Sequence, residues 1–111
     1  MSMAVPLDQL AEFIAANHGC DGYVITIAED GRPRLAHVNV ATADNQLRVQ
    51  LGDGGTLNAE ARSQLTVLFP APAAGEMSLI VDGDAIVDRT ADQAIVIITP
   101  TWAVRHRPAP G

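Results

Sequence analysis

The stretch that decides the fold runs from residue 23 to residue 69 and reads YVITIAEDGRPRLAHVNVATADNQLRVQLGDGGTLNAEARSQLTVLF. Residues 24–27 are mostly β-branched, which favours a strand, and Asp30-Gly31 is a strong signal for the tight turn of a hairpin. Pro33 then opens the partner strand, where a missing backbone N–H is tolerated. A second turn leads into residues 47–51, so the sequence predicts a meander of three antiparallel strands.

The second half of this stretch is a loop, Gly-Asp-Gly-Gly-Thr, followed by a predicted short helix over residues 57–64 and a fourth strand over residues 65–69. Gly54 and Gly55 can present backbone N–H groups to a phosphate, Thr56 adds a hydroxyl, and the helix adds its positive N-terminal end. Asp53 opposes this, because a carboxylate raises the cost of placing a phosphate beside it. The loop is therefore either a phosphate site or only a flexible connection.

Outside this stretch, Leu7, Leu10 and Ile14 follow the spacing of an N-terminal amphipathic helix. Residues 77–87 and 94–102 read as further strands, and Asp82-Gly83 is either a hairpin turn or a bulge within one long strand. About six strands and two short helices predict a mainly β fold, a small six-stranded antiparallel barrel. We expect a single domain over residues 1–111 whose last part, residues 105–111, is a surface tail.

Composition excludes several functions. The formal charge is −6, with thirteen acidic residues and seven basic ones, which argues against a nucleic-acid surface. Every basic residue is arginine, so no lysine can act as a nucleophile or form a Schiff base. The longest apolar run, residues 94–98, is far short of the ~20 residues of a membrane helix, and no export signal is evident. We expect a cytoplasmic protein with no membrane partner.

Other chemistries find little support in the sequence. The single cysteine, Cys20, cannot form an internal disulfide, and a buried or inert thiol is a simpler reading than a nucleophile paired with His18. The three histidines are scattered and Asp82 and Asp84 only flank a glycine, so we predict no metal site. No catalytic side chain can be named.

In its order of elements the chain resembles the split-barrel flavin-binding proteins related to pyridoxamine 5'-phosphate oxidase. The resemblance covers roughly residues 6 to 107 and is carried by the Asp-Gly-x-Pro turn, by Asn58 in the short helix and by a bend at Gly83. It implies a split barrel of Greek-key type with a short helix between the third and fourth strands. It also implies a homodimer with two FMN sites across the subunit interface, in which the second and third strands and the loop before the short helix hold the phosphate and ribityl chain.

The chain departs from this family at the phosphate. Such proteins often carry an arginine three residues after the turn proline, where Ala36 stands here, and Ser, Arg or Lys in the loop occupied by residues 53–56. Charge-assisted hydrogen bonds are roughly twice as strong as neutral ones, so both losses weaken the hold on a phosphate. Arg34 or Arg62 could supply the missing charge.

The resemblance assigns further candidates. His37, on one face with Leu35 and Asn39, either contacts the cofactor or forms with Asn39 a satisfied polar pair inside or at the rim of the barrel. Ser78 either lies near the isoalloxazine ring or faces solvent. Trp102, with Arg105 and His106, either reaches the neighbouring subunit's site or is an interface residue. The predicted cofactor-binding residues are Arg34, Ala36, His37, Gly54, Gly55, Thr56, Asn58, Ser78 and Trp102.

Two functions follow from these residues. The first is an FMN-dependent oxidoreductase acting on a small organic substrate, and a deazaflavin would want more basic residues than this chain carries. The second is a split-barrel dimer that has lost tight flavin binding and serves as a binding or structural protein. A dimer is also expected because so small a domain leaves apolar surface uncovered.

Overall fold

The structure, a computed structural model, describes residues 2–109 and consists of one curled antiparallel sheet with two helices. A 3-10 turn at Leu7–Gln9 precedes helix α1 (Leu10–Asn17), and helix α2 is Asp53–Ala61. The strands are β1 (Ser2–Ala4), β2 (Asp21–Ile27), β3 (Pro33–Asn39), β4 (Ala41–Ala43), β5 (Gln46–Val49), β6 (Gln64–Phe69), β7 (Ser78–Asp88) and β8 (Ile95–His106).

The sheet is a split barrel because its two edge strands are consecutive in the chain. The strand order is β3-β2-β6-β7-β8-β5-β4, with β1 paired to β8. Only Val40 separates the edge strands β3 and β4, and it is buried, with its backbone N–H donating to the Cys20 carbonyl at 2.7 Å. Two edges joined by one residue force the sheet to curl until they meet.

The predicted fold class is confirmed: the chain is mainly β, antiparallel and barrel-like, with two short helices. Strands β6, β7 and β8 are antiparallel neighbours in chain order, and β5, which is connected to β6 through α2, lies beside β8, which is a Greek-key arrangement. The predicted meander is correct only in its two pairings: β3 pairs with β2, whereas β4, and not β3, pairs with β5. Within residues 2–109 eight strands form instead of six, because β1 was not predicted and the segment after Pro33 divides into β3 and β4.

The region of Asp82-Gly83 is a bulge site within one long strand and not a hairpin turn. Asp82 pairs with Trp102 and Gly83 with Pro100, so Thr101 is the extra residue on β8. The Thr101 hydroxyl donates to the Asp82 carbonyl at 3.2 Å. Gly83 is required by space, because a Cβ there would lie 2.6 Å from Cγ2 of Ile98.

The core fills the inside of the barrel with alternate residues of neighbouring strands. Val24, Val67, Val81 and Ala103 follow one another across β2, β6, β7 and β8, and all four are almost fully buried. Helix α1 closes the barrel on one side through Leu10 and Ile14. Among residues 2–109, no helix has the length and apolar character to cross a membrane.

Several predicted boundaries are wrong: both ends of the short helix, predicted over residues 57–64 and observed as Asp53–Ala61, and the end of the last strand. Helix α2 begins at Asp53 and not at Leu57, because the backbone N–H and the hydroxyl of Thr56 both donate to the Gly52 carbonyl at 2.9 Å and close the first turn. Strand β8 continues through His106, since it pairs there with both β7 and β1. Residues 105 and 106 therefore belong to the sheet, and the exposed segment begins at Arg107; residues 110 and 111 of the predicted tail lie outside the described residues.

Candidate functional site

Two cavities lie along β3, β5 and the start of α2, and because they share Gln50 in their lining we refer to them together as the groove. The strand cavity has a volume of about 520 Å³ and the helix cavity one of about 600 Å³, and Gln50 lines both. The strand cavity is lined by His37, Val38, Asn39, Ala41, Arg48, Val49, Gln50 and Ile95. The helix cavity is lined by Gln50, Leu51, Asp53, Thr56, Leu57, Arg89, Asp92, Gln93 and Ala94.

Arg48 supplies the charge of the strand cavity. Strand alternation places Leu47 and Val49 in the core, so Arg48 between them points outward. The Nε atom of Arg48 is nevertheless buried and has no hydrogen-bond partner among residues 2–109. A buried donor without an acceptor costs about 1–3 kcal/mol, so an orphan of this kind needs an explanation, such as an ordered water, an ion or a role in a site.

His37 is held at the rim of the same cavity by two contacts. Its Nε2 lies 2.6 Å from Oδ1 of Asp21, and its ring stacks on Tyr23 with centroids 4.6 Å apart and planes 14° from parallel. Since a carboxylate can only accept, the Nε2 atom is the donor in this pair. The pairing leaves Nδ1 as the ring nitrogen that Asp21 does not engage.

His37 and Asn39 do not lie inside the barrel, so of the two predicted positions for this polar pair, inside or at the rim, only the rim agrees with the structure. Strand β3 is an edge strand, and its outward face carries His37, Asn39 and Leu35, which is 63% exposed. Each polar group is satisfied by another residue, with Asn39 accepting from the thiol of Cys20 at 3.5 Å. Cys20 is itself exposed rather than buried.

The helix cavity is dominated by acids. Asp53 and Asp92 both line it, and its one arginine, Arg89, is already engaged by Glu60. Arg89 donates from Nε at 2.9 Å and from Nη2 at 2.6 Å to the two carboxylate oxygens, which lowers the pKa of Glu60 and raises that of Arg89. The backbone N–H groups of Gly54 and Gly55, in the first turn of α2, remain free of helical partners, but Asp53 stands beside them.

Thr56 and Asn58 serve the structure. Thr56 is buried, and its one hydroxyl proton is committed to the carbonyl of Gly52 at 2.9 Å or of Leu51 at 3.3 Å. Asn58 donates to the hydroxyl of Thr26 at 3.2 Å and so ties α2 to β2. A glutamate at position 56 would therefore disturb the fold as well as any phosphate contact.

The other predicted residues lie away from the groove. Arg34 is exposed on the edge strand, 3.9 Å from Asp30, and Ala36 is paired with Val24. Ser78 donates to the His106 carbonyl at 3.2 Å, and Trp102 is 54% exposed on the outer side of the sheet. Arg62, the other arginine considered, donates to the carbonyl of Ile27 at 3.4 Å.

The structure thus brings His37, Asn39 and Thr56 to the groove and adds residues that the sequence reasoning missed, among them Arg48, Gln50 and Asp92. A signal for Arg48 was present: it stands between two apolar residues of a short strand, a position that faces away from the core. Within residues 2–109 no group of three or more His, Cys, Asp or Glu side chains is arranged to hold a metal ion.

Comparison with solved structures identifies the fold. An FAD-binding protein from Mycobacterium smegmatis matches with a TM-score of 0.70 at 14% identity, over 98% of this chain and 100% of that one. A Clostridium acetobutylicum protein related to general stress protein 26, of the pyridoxinephosphate oxidase family, matches with a TM-score of 0.71 at 12% identity, over 91% and 87% of the two chains. An F420 reductase matches with a TM-score of 0.64 at 17% identity, over 78% and 90%.

No protein-family model matches the sequence, and no curated protein matches it. At identities this low the structural likeness speaks for the fold alone. The chain has the split-barrel fold of the pyridoxamine 5'-phosphate oxidase-like proteins, and the resemblance inferred from the sequence is confirmed at that level.

Proposed function

We propose that this protein binds a flavin-type cofactor in the groove and uses it as an oxidoreductase acting on a small organic substrate. The observation that carries the proposal is the position of the groove: it follows β3, β5 and the start of α2, the elements at which the resemblance expects FMN. Each cavity has the size of an ordinary small-molecule pocket, roughly 300–1,000 Å³. Two of the solved structures with this fold carry names that speak of FAD binding and of F420.

The residues of the groove fit the polar parts of a flavin. Arg48 offers the positive charge of a guanidinium that has no ion-pair partner among residues 2–109, and Gln50 and Asn39 offer amide groups. The carboxylates of Asp53 and Asp92 can accept hydrogen bonds from ribityl hydroxyls. A bound flavin supplies the electron-transfer chemistry, and the protein's part is to orient it and to tune its surroundings by hydrogen bonds.

A homodimer is part of this proposal, with the outer face of the sheet as its interface. On that face Tyr23, Leu68 and Ile80 follow one another across β2, β6 and β7. They lie among other partly exposed apolar side chains, and contiguous apolar surface of this kind is typical of a protein interface. The apolar residues of the outer face are Tyr23, Ile25, Leu35, Leu68, Ile80 and Trp102, and the hydrogen-bonded pair Thr66 and Asp82 lies between Ile25 and Trp102.

The dimer has a direct test. Light scattering coupled to size exclusion is expected to give twice the mass of the chain. Trp102 is the only tryptophan, so its emission reports on the outer face and is expected to shift to the red on dilution to the monomer. A clean monomer at high concentration would contradict the dimer and any site shared between subunits.

Flavin binding is tested by the visible spectrum of the purified protein and by titration of the apoprotein with FMN, following flavin fluorescence. We expect saturable quenching. Ala41→Trp fills the strand cavity and should abolish it, whereas Ala43→Trp is the matched control, because Ala43 is exposed on the same strand but outside the cavity. Absence of binding at hundreds of micromolar FMN would overturn the proposal.

The alternative function is that of a split-barrel protein that binds flavin weakly and does not catalyse a reaction. It is favoured by the acids of the helix cavity and by Thr56, whose hydroxyl is already used. The two functions differ in one measurement. If chemically reduced, bound flavin is reoxidised by quinones or other small organic acceptors faster than free flavin, the protein is an enzyme, and equal rates favour the binding protein.

A further inference from the structure

The two halves of the groove differ in charge. Arg48 is the one charged residue among those that line the strand cavity, apart from the titratable His37, and none of them is a carboxylate. The helix cavity has the opposite balance, with Asp53 and Asp92 facing it and Arg89 neutralised by Glu60. A ligand that spans the groove therefore meets a cation at one end and two carboxylates at the other.

Arg48 is free to receive an anion. No carboxylate of residues 2–109 lies within ion-pair distance of its guanidinium. The charge of Arg48 also lowers the pKa of Asp88, but it does so less than the hydroxyl and backbone N–H of Thr90 do. The Nε atom of Arg48 is buried and has no acceptor among residues 2–109, so an anion in the strand cavity would meet the positive charge of a guanidinium that no carboxylate within ion-pair distance neutralises.

We infer that the strand cavity binds the single anionic group of the ligand through Arg48, and that the acidic helix cavity rejects a second anionic group. This inference rests on the proposed function and assigns the phosphate to the strand cavity, whereas the resemblance divides the phosphate and ribityl chain among the second and third strands and the loop before the short helix. It selects a flavin with one phosphate, such as FMN, over ligands with a longer anionic chain, such as FAD or a polyanionic deazaflavin. The physical reason is the Coulomb repulsion between a second phosphate and the carboxylates of Asp53 and Asp92.

Paired arginine variants test the anchor. Arg48→Gln is expected to weaken FMN binding roughly 10- to 100-fold, the loss typical of a charge-assisted hydrogen bond to a buried partner. Arg34→Gln removes the same charge from the exposed edge strand and should change affinity less than about twofold. Arg48→Lys keeps the charge and should fall between wild type and Arg48→Gln. Circular dichroism checks that each variant is folded, and equal affinities for Arg48→Gln and Arg34→Gln would overturn the inference.

The acidic half is tested by ligand choice. Wild-type protein should bind FMN more tightly than riboflavin, which lacks the phosphate, and more tightly than FAD. Asp53→Asn should raise the affinity for FAD by a larger factor than that for FMN, because it removes one of the two repelling charges. Equal binding of FMN and riboflavin, or an unchanged preference in Asp53→Asn, would contradict the assignment.

A probe without flavin separates this inference from the proposed function. Inorganic phosphate, added to the labelled wild-type protein, should shift the NMR signal of the Arg48 side-chain Nε and leave that of Arg34 in place. If phosphate shifts Arg48 but no flavin binds, the anion site stands and the proposed function fails. If FMN binds and neither phosphate nor Arg48→Gln has an effect, the proposed function stands and this inference fails.

Discussion

Replacement of Gly83 by alanine tests the strand pairing that gives the barrel its bend. The new Cβ would lie 2.6 Å from Cγ2 of Ile98 and 2.8 Å from the backbone oxygen of Thr99, whereas ordinary contact begins at 3.4 Å. Ile98 is fully buried and the Thr99 oxygen belongs to the backbone of β8, so neither can move without shifting the strand. Overpacking of this kind typically costs about 1–3 kcal/mol.

For a domain of this size that loss lowers the melting temperature on the order of 5–15 °C, which thermal unfolding followed by circular dichroism can measure. Gly54→Ala is the matched control, because Gly54 lies in helix α2 and an added Cβ meets nothing within 4 Å. Alanine is the better helix former, so this variant should gain roughly 0.5–1 kcal/mol. A Gly83→Ala protein as stable as wild type would refute the bulge geometry at Gly83.

Three further predictions concern single side chains. Burial lowers the pKa of His18 below its usual 6.5, so the stability that neutral His18 contributes is present above pH 6.5 and is lost as the pH falls through the lowered folded-state pKa. His18→Gln should therefore flatten the plot of unfolding free energy against pH in this range. An unchanged slope in the variant would contradict this prediction. Thr56→Val should destabilise the protein by about 1 kcal/mol in urea unfolding, because the bond to Gly52 is lost, and a neutral result would show that the hydroxyl does not secure the helix start. Thr90→Ala should raise the pKa of Asp88 in an NMR titration, since the hydroxyl of Thr90 is the largest cause of its lowering.

The architecture was predictable because local signals along the chain agree with one another. The turn at Asp30-Gly31 forms as expected, with Gly31 at a φ of 85°, and β2 and β3 pair across it. The strands at 65–69 and 77–87 are close to the observed β6 and β7. Each of these segments carries β-branched residues in a periodic pattern, and the tertiary structure agrees with the strand preference of that pattern.

The start of α2 and the first strand were not predictable in the same way. Gly54 and Gly55 lower helix propensity, so the sequence favours a loop, yet the backbone N–H and hydroxyl of Thr56, which both donate to the Gly52 carbonyl, hold the two glycines in the first helical turn. Strand β1 has only three residues and is exposed, and it exists because the end of β8 offers it a partner. Such long-range pairing leaves no local signal.

The candidate site was the least predictable part. The resemblance suggested cofactor-binding residues, but in this chain several of them make hydrogen bonds within the fold instead, as Asn58 and Ser78 do. Arg48 was overlooked because its importance depends on a cavity that forms only when β3 and β5 come together at the split of the barrel. Which charged side chains line a groove depends on how the strands assemble into the sheet.

A crystal structure of the protein with FMN would show whether the groove binds a flavin with its phosphate at Arg48. We expect a ligand in the groove between β3 and β5, with a phosphate oxygen within hydrogen-bond distance of the Arg48 guanidinium. A phosphate seated instead on the backbone N–H groups of Gly54 and Gly55, or a flavin bound outside the groove, would contradict it.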